Sequence, residues 1–217
     1  MKPMSRLVEF AEDWKYFTER DGLQSSLPLI VSDIGELPYR HLRFVIVARS
    51  LLDQFPDWQP KIPLFIRPFE QMDLELVRQM NRPSEARLCA HRLTQGHKGL
   101  VAFNDGWLAG YAWGSTDIQT RLERVHPKLY PGDVLFTDSY TSPVFRGQGI
   151  QTALTLARFQ LFGKLGYRRA ISYIEVRNGP SLAVWQRKFN SQTIGTIDFK
   201  RIGPWYSVRI TSGKNGN

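Results

Sequence analysis

The chain reads as an α+β protein, an α/β-like mixed sheet flanked by helices. Three observations predict this class. The elements run strand, helices, hairpin, strand, helix, strand, helix, strands, which is not the regular alternation of a doubly wound dinucleotide fold. Asn104-Asp105-Gly106 lies between two apolar runs, the mark of an antiparallel hairpin. A basic, glycine-rich turn, Ser142 to Ile150, joins a strand over 134–142 to a helix over 149–165.

Taken in order, Leu7, Phe10, Ala11, Trp14 and Phe17 fall on one side of a helix over 5–20. Strands are expected over 27–31 and 42–47, with a turn from Asp33 to Tyr39 containing Gly35 and Pro38. Phe55 to Pro60 reads as a linker. Residues 1–60 are therefore expected to be an N-terminal extension packed on the main sheet of a domain spanning 61–217. That domain opens with a strand from Ile62 to Phe69. Asp73 is placed to cap a helix carrying Leu74, Leu76, Val77 and Met80, and a second helix fits Glu85 to Leu93. The hairpin strands are Gly99–Phe103 and Trp107–Trp113. Residues 116–133 form a polar connection long enough to be functional or mobile. The helix after the glycine turn shows an apolar stripe of Ile150, Ala153, Leu154, Ala157, Leu161 and Leu165, ending at Gly166. A strand from Arg169 to Val176, a short helix from Gly179 to Phe189 and a closing hairpin (194–201, 205–210) follow. Ser212 to Asn217 reads as a frayed tail.

Composition narrows the function classes. The 217 residues carry a net charge of +9, unevenly spread. Residues 1–60 hold 7 Lys/Arg against 9 Asp/Glu (net −2), whereas residues 143–217 hold 12 against 2 (net +10). The excess begins at the glycine turn and implies an acidic ligand, a nucleic acid or an anionic surface. The longest apolar run near the start, Phe44 to Ala48, is too short for a membrane span. Glu9, Glu12 and Asp13 argue against a secretory leader, and a lone Cys89 allows no internal disulfide, so a cytoplasmic location is expected. His41, His91, His97 and His126 lack paired ligand spacing, so no metal is expected. The six tryptophans are dispersed and make no stacking platform for nucleic acid.

The turn itself carries chemistry. N–H groups at a helix start point at an anion, the helix dipole favours negative charge, and glycines let the backbone approach. The chain has neither Gly-x-x-x-x-Gly-Lys-Ser/Thr nor Gly-x-Gly-x-x-Gly, which disfavours a P-loop nucleotidase and a dinucleotide fold.

Residues Thr137 to Ile150, with Arg146-Gly147-Gln148-Gly149 at their centre, resemble the coenzyme A signature of the GNAT superfamily of acyl-CoA-dependent N-acyltransferases: Arg/Gln-x-x-Gly-x-Gly/Ala after a strand ending near a proline. Val176-Arg177-Asn178-Gly179-Pro180-Ser181 is similar to the second signature, an asparagine after a strand with a small residue three positions later. The resemblance covers roughly residues 62–210. It departs from the pattern in three places. Gln151 stands where Gly or Ala is usual, Trp185 stands at the place of the usual proton-donating tyrosine, and Phe189-Asn190 replaces a Gly-Phe pair.

The resemblance implies a site. Acetyl-CoA would be the co-substrate. The backbone of strand 134–142, including Tyr140 and Thr141, would pair with its pantetheine arm, and an N–H near Thr141 would polarise the thioester carbonyl. Gly147, Gln148, Gly149, Ile150 and Gln151 would hold the pyrophosphate, with Arg146 adding charge. Asn178 and Ser181 would fix the arm or the adenosine side. The amine would attack directly, with Asp138 the first choice as general base and Glu175 the second. Strand alternation puts Asp138 on the face of Phe136 and Tyr140. The acceptor is expected to be a small-molecule or protein amine, with no membrane partner and with a homodimer allowed. Two alternatives stand beside this: an aminoacyl- or acyl-carrier-dependent transferase on the same fold, and a basic nucleic-acid-binding protein.

Overall fold

In the computed structural model, residues 39–115, 129–202 and 205–213 are described, together with Lys15. The expected helix over 5–20, strand over 27–31, turn before Tyr39 and most of the 116–133 connection lie outside the described residues. Two compact units are distinguished. One contains residues 70–96, and the other residues 41–69, 97–200 and 207 onward.

The smaller unit holds α1 (Asp73–Met80) and α2 (Pro83–Thr94), which pack on each other. Asp73 is the first residue of α1 and is fully buried. Its carboxylate accepts from the Glu70 N–H at 2.8 Å, closing the turn that launches the helix. Proline at the start of α2 suits the first helical position, where its missing N–H has no partner to lose. Leu74 and Val77 of α1 and Ala86 and Cys89 of α2 are buried.

The larger unit is built on a sheet of eight described strands: β1 (Tyr39–Ser50), β2 (Phe65–Pro68), β3 (Lys98–Asn104), β4 (Trp107–Ser115), β5 (Asp133–Thr141), β6 (Arg169–Glu175), β7 (Gln192–Ile202) and β8 (Trp205–Ser212). Their spatial order is β2-β3-β4-β5-β6-β1-β7-β8. The β2–β3, β3–β4 and β4–β5 pairs are antiparallel, β5–β6 is parallel and β6–β1 is antiparallel, so the sheet is mixed. The hairpin forms as expected. Asp105 and Gly106 both take positive φ, +47° and +80°, as a two-residue primed turn demands. Asn104 instead ends β3, and its side-chain amide donates to the Pro63 carbonyl.

β1 enters the sheet between β6 and β7, running from Phe44↔Glu175 to Ser50↔Arg169. Its alternate residues serve two cores. Leu42, Phe44, Ile46 and Ala48 join Leu135, Ile171, Ile197 and Phe199. Val47 and Leu51 join Val134, Phe136, Phe159, Phe162 and Trp185. A strand buried on both faces needs apolar residues at successive positions, which is why 44–48 reads as an unbroken apolar run.

Helix α3 (Ile150–Lys164) is also covered on more than one side. Ile150 and Leu154 pack on β3 and β4, while Phe159 and Phe162 pack on β5. The expected single stripe is corrected: Leu161 is half-buried and Leu165 is exposed, whereas Arg158 and Phe159 are buried. Arg158 donates to the Trp113 carbonyl at 2.9 Å and lies over the Phe136 ring at 4.4 Å. Burial pushes its guanidinium down to about 9. Gly166 (φ +88°) closes the helix as expected, and the Tyr167 N–H reaches back to the Phe162 carbonyl at 3.0 Å. The expected helix over 179–189 is a single turn, α4 (Gly179–Leu182), that widens into a π-helical stretch over Ala183–Lys188. There Trp185 is buried against Phe136 and Phe159, at 5.8 and 5.4 Å between ring centroids. No helix among the described residues is long and apolar enough to cross a membrane.

Candidate functional site

Strand β5 is paired along its length on one side and only at its root on the other. β4 follows it from Ser115↔Leu135 to Gly110↔Thr141. β6 matches it at Asp133↔Arg169, Val134↔Ala170 and Leu135↔Ile171, where the described pairing ends. One step further, the Ser172 hydroxyl donates to the Phe136 carbonyl at 2.9 Å. The root is clamped by a two-pronged ion pair, with Arg169 Nε on Asp133 Oδ1 and Nη2 on Oδ2, both at 2.8 Å. These bonds hold the arginine above its ordinary range, against the opposing effect of burial. The Tyr130 N–H also donates to Asp133 Oδ2 at 2.8 Å.

The far end of β5 is irregular. Trp113 opposes Thr137, but Tyr111 opposes Tyr140, so β5 carries one extra residue in between. Asp138 lies in that bulge with φ +35°, a conformation few non-glycine residues adopt. The bulge interrupts the strict alternation that was to group Asp138 with Phe136 and Tyr140. Tyr140 stacks on Tyr111 at 5.3 Å.

Thr141 ends the strand. The Ser142 N–H donates to the Ala109 carbonyl at 2.9 Å, which makes 109/142 a hydrogen-bonded pair. Antiparallel ladders alternate, so at the neighbouring Gly110/Thr141 pair the Thr141 N–H and carbonyl face away from β4, toward the side β6 does not line. Thr141 Oγ1 is buried without a hydrogen-bond partner. A buried polar atom left alone costs about 1–3 kcal/mol, so a ligand group that reaches it is favoured.

A short 3₁₀ turn, Pro143–Phe145, leads from Thr141 into the glycine turn. Gly147 and Gly149 take φ +77° and +89°. A Cβ at Gly147 would meet nothing, whereas one at Gly149 would run into the Trp58 ring. The Gln148 N–H bends back to the Phe145 carbonyl at 3.4 Å, and the Ala153 N–H makes the first helical bond, to the Gly149 carbonyl. The first-turn N–H groups of α3 have no acceptor within the helix, and the Gln148 N–H is engaged within the turn itself. The residues present fit an extended amide arm along β5 followed by a diphosphate.

The other expected residues are more dispersed. Glu175 is half-buried at the end of β6, opposite Phe44. Asn178 caps α4, its Oδ1 accepting from the Ser181 N–H at 3.2 Å, so both residues are engaged in shaping that turn. A polar contact from this segment to α3 is made by Lys188, whose Nζ lies 3.1 Å from Thr152 Oγ1. The sequence reading missed Lys188 and Trp58. A lysine at the end of a helix and a tryptophan in a linker carry no local signal, and only the fold brings them to the turn.

The sheet order, the short parallel β5–β6 pairing and the glycine turn before α3 make up a fold found among solved N-acetyltransferases. Comparison with solved structures agrees. A GCN5-related N-acetyltransferase from Sphaerobacter thermophilus superposes with a TM-score of 0.52 at 17% identity, over 88% of this chain and 57% of that one. A Drosophila protein superposes with a TM-score of 0.55 at 14% identity, over 84% of this chain and 58% of that one. The chain thus spans somewhat over half the length of each. No family model matches the sequence, and no curated protein does.

Proposed function

We propose that the chain is an N-acetyltransferase of the GNAT superfamily, moving acetyl from acetyl-CoA to a primary amine. The observation that carries the reading is the combination at one strand end: a β5 edge turned away from β4, the lone buried Thr141 Oγ1, and a turn of positive-φ glycines opening α3. Acetyl-CoA supplies the activated thioester. Thr141 directs its N–H to where a carbonyl oxygen would lie, Arg146 contributes charge beside the diphosphate donors, and the Asp138 carboxylate accepts the proton of the incoming ammonium. A strained backbone at Asp138 supports that choice, because such conformations concentrate where a side chain must be aimed. Glu175 stays second, and Trp185, packed among phenylalanines, is no acid. Residues 61–217 are read as the transferase domain, with 1–60 as an extension that lends β1 to the sheet.

Isothermal titration with acetyl-CoA tests the cofactor half, and a folded protein that binds none at millimolar ligand sinks the reading. For the chemistry, Asp138→Asn should cut kcat by about 10²–10⁴ while leaving the affinity for acetyl-CoA intact. Thiol release from acetyl-CoA with a panel of amines supplies the rate, and an unchanged kcat would remove Asp138 from the role.

A further inference from the structure

The segment between β1 and β2 has the composition of a linker, yet it lies on the start of α3. The Lys61 N–H donates to the Gln148 carbonyl at 3.1 Å. The six-membered ring of Trp58 occupies the space where a Gly149 side chain would stand, with Cζ2 2.7 Å from that Cβ position. Lys188, from the far end of the second motif's helix, lies 4.9 Å from the centre of the Trp58 ring. Its ammonium also bonds Thr152 Oγ1 in the first turn of α3. That is an unfavourable place for a cation, because the helix start is already positive. A hydroxyl and an aromatic face are its described partners, and neither neutralises it. Arg146 adds a further positive charge to the adjoining turn. Beside Trp58 runs a groove of about 470 Å³, lined by Lys61, Ile62, Leu64, Ala153 and Leu156 among others. That volume falls within the usual range of small-molecule sites, about 300–1,000 Å³.

An aromatic face, a cation with no counter-charge among the described residues and a partly apolar groove, all bordering the glycine turn, are the parts a phosphorylated nucleoside requires. We infer that Trp58 and Lys188 receive the nucleotide end of coenzyme A, the indole stacking on the adenine and the ammonium binding the 3′-phosphate. This rests on the coenzyme reading above and extends it to residues outside either signature. The strap then belongs to the binding site, and Gly149 is glycine both for its φ and for the ring that lies on it.

The test is calorimetry with three ligands: coenzyme A, 3′-dephospho-coenzyme A and 4′-phosphopantetheine. The wild-type chain should bind coenzyme A about tenfold more tightly than the dephospho form, as one charge-assisted contact provides. Lys188→Met should abolish that difference while leaving dephospho-coenzyme A unchanged, and Lys188→Arg should restore it. Trp58→Leu should weaken both nucleotide ligands by about 5- to 100-fold, the span of base stacking, and leave phosphopantetheine unchanged. Trp58→Phe should recover most of the loss. Thermal melts of each variant report folding independently. If the wild type binds the ligands and the variants keep its full discrimination, this inference fails alone. If the folded wild type binds none of the three, the coenzyme reading fails and takes this inference with it.

Discussion

The two ends of strand β5 are built on opposite plans. At its root, Asp133 and Arg169 meet in a bidentate pair, three successive residues match β6, and the surrounding core is closed. At its tip, the pairing with β6 has ended, Asp138 is bulged into a strained conformation, and Thr141 keeps a buried hydroxyl without a partner. The root has its ion pair satisfied from within, and the tip leaves the Thr141 hydroxyl for something else to satisfy. Stability and binding are thereby separated along one strand, and substitutions at the two ends should fail in different ways.

The largest effect is expected at the root. Arg169→Ala leaves the Asp133 carboxylate, 4% exposed, without its counter-ion. The cost should be about 3 kcal/mol, the low end for a broken buried pair because the arginine is itself 35% exposed. Urea unfolding measures it, and a midpoint equal to the wild type's would show that the clamp does not hold the strand. At the turn, Gly149→Ala and Gly147→Ala should separate conformation from contact. Both force a side chain into a positive-φ position, at about 1–2 kcal/mol, but only the Gly149 variant meets Trp58. It should be the less stable of the two by about another 1 kcal/mol, by way of the overpacking, and equal melting points would mean the strap yields freely.

Thr141→Val probes the tip. Removing a hydroxyl that has no partner should leave stability unchanged or raise it by about 1 kcal/mol, while affinity for acetyl-CoA falls. A variant that loses stability instead would place Thr141 among the structural residues. The smallest effect concerns an exposed counterpart of the root clamp. His41 lies 3.0 Å from Asp198, and that hydrogen bond is the main cause holding the Asp198 carboxyl below its ordinary value. A depressed carboxyl contributes stability above its unfolded pKa and loses it as pH falls through the folded one. Asp198→Asn should therefore lower the melting point slightly at neutral pH and converge on the wild type below about pH 4, which flattens the acid limb. An acid limb as steep as the wild type's would show the pair to be inert.

What could be read from the sequence was local. The Asp105-Gly106 turn, the glycines before α3 and Gly166 after it each place a positive φ where a residue type permits it, and each is found there. The extra residue at Asp138 escaped because a bulge is fixed by the partner strand's register, not by its own sequence. Arg158 escaped because a charged residue inside a helix reads as a surface residue, and only the carbonyl of Trp113 and the ring of Phe136 make its burial tolerable. The π-helical stretch before Phe189 likewise follows from the burial of Trp185 and Phe189, which no short-range pattern announces. For the site, the signatures located the turn, while Trp58 and Lys188 depended on long-range packing.

The position of β1 has a consequence for how the chain comes to be folded. It precedes the other described strands in the chain, but the strands that flank it, β6 and β7, follow only after the whole of β2 to β5 and α3. During synthesis, Phe44, Ile46, Val47 and Ala48 must wait for the two strands that flank them in the finished sheet. Closing so long a loop is slow, and an apolar strand kept waiting invites pairing with other chains. The finished sheet is thus completed by one of its earliest strands, and a nascent chain halted before β6 should need a chaperone to stay soluble.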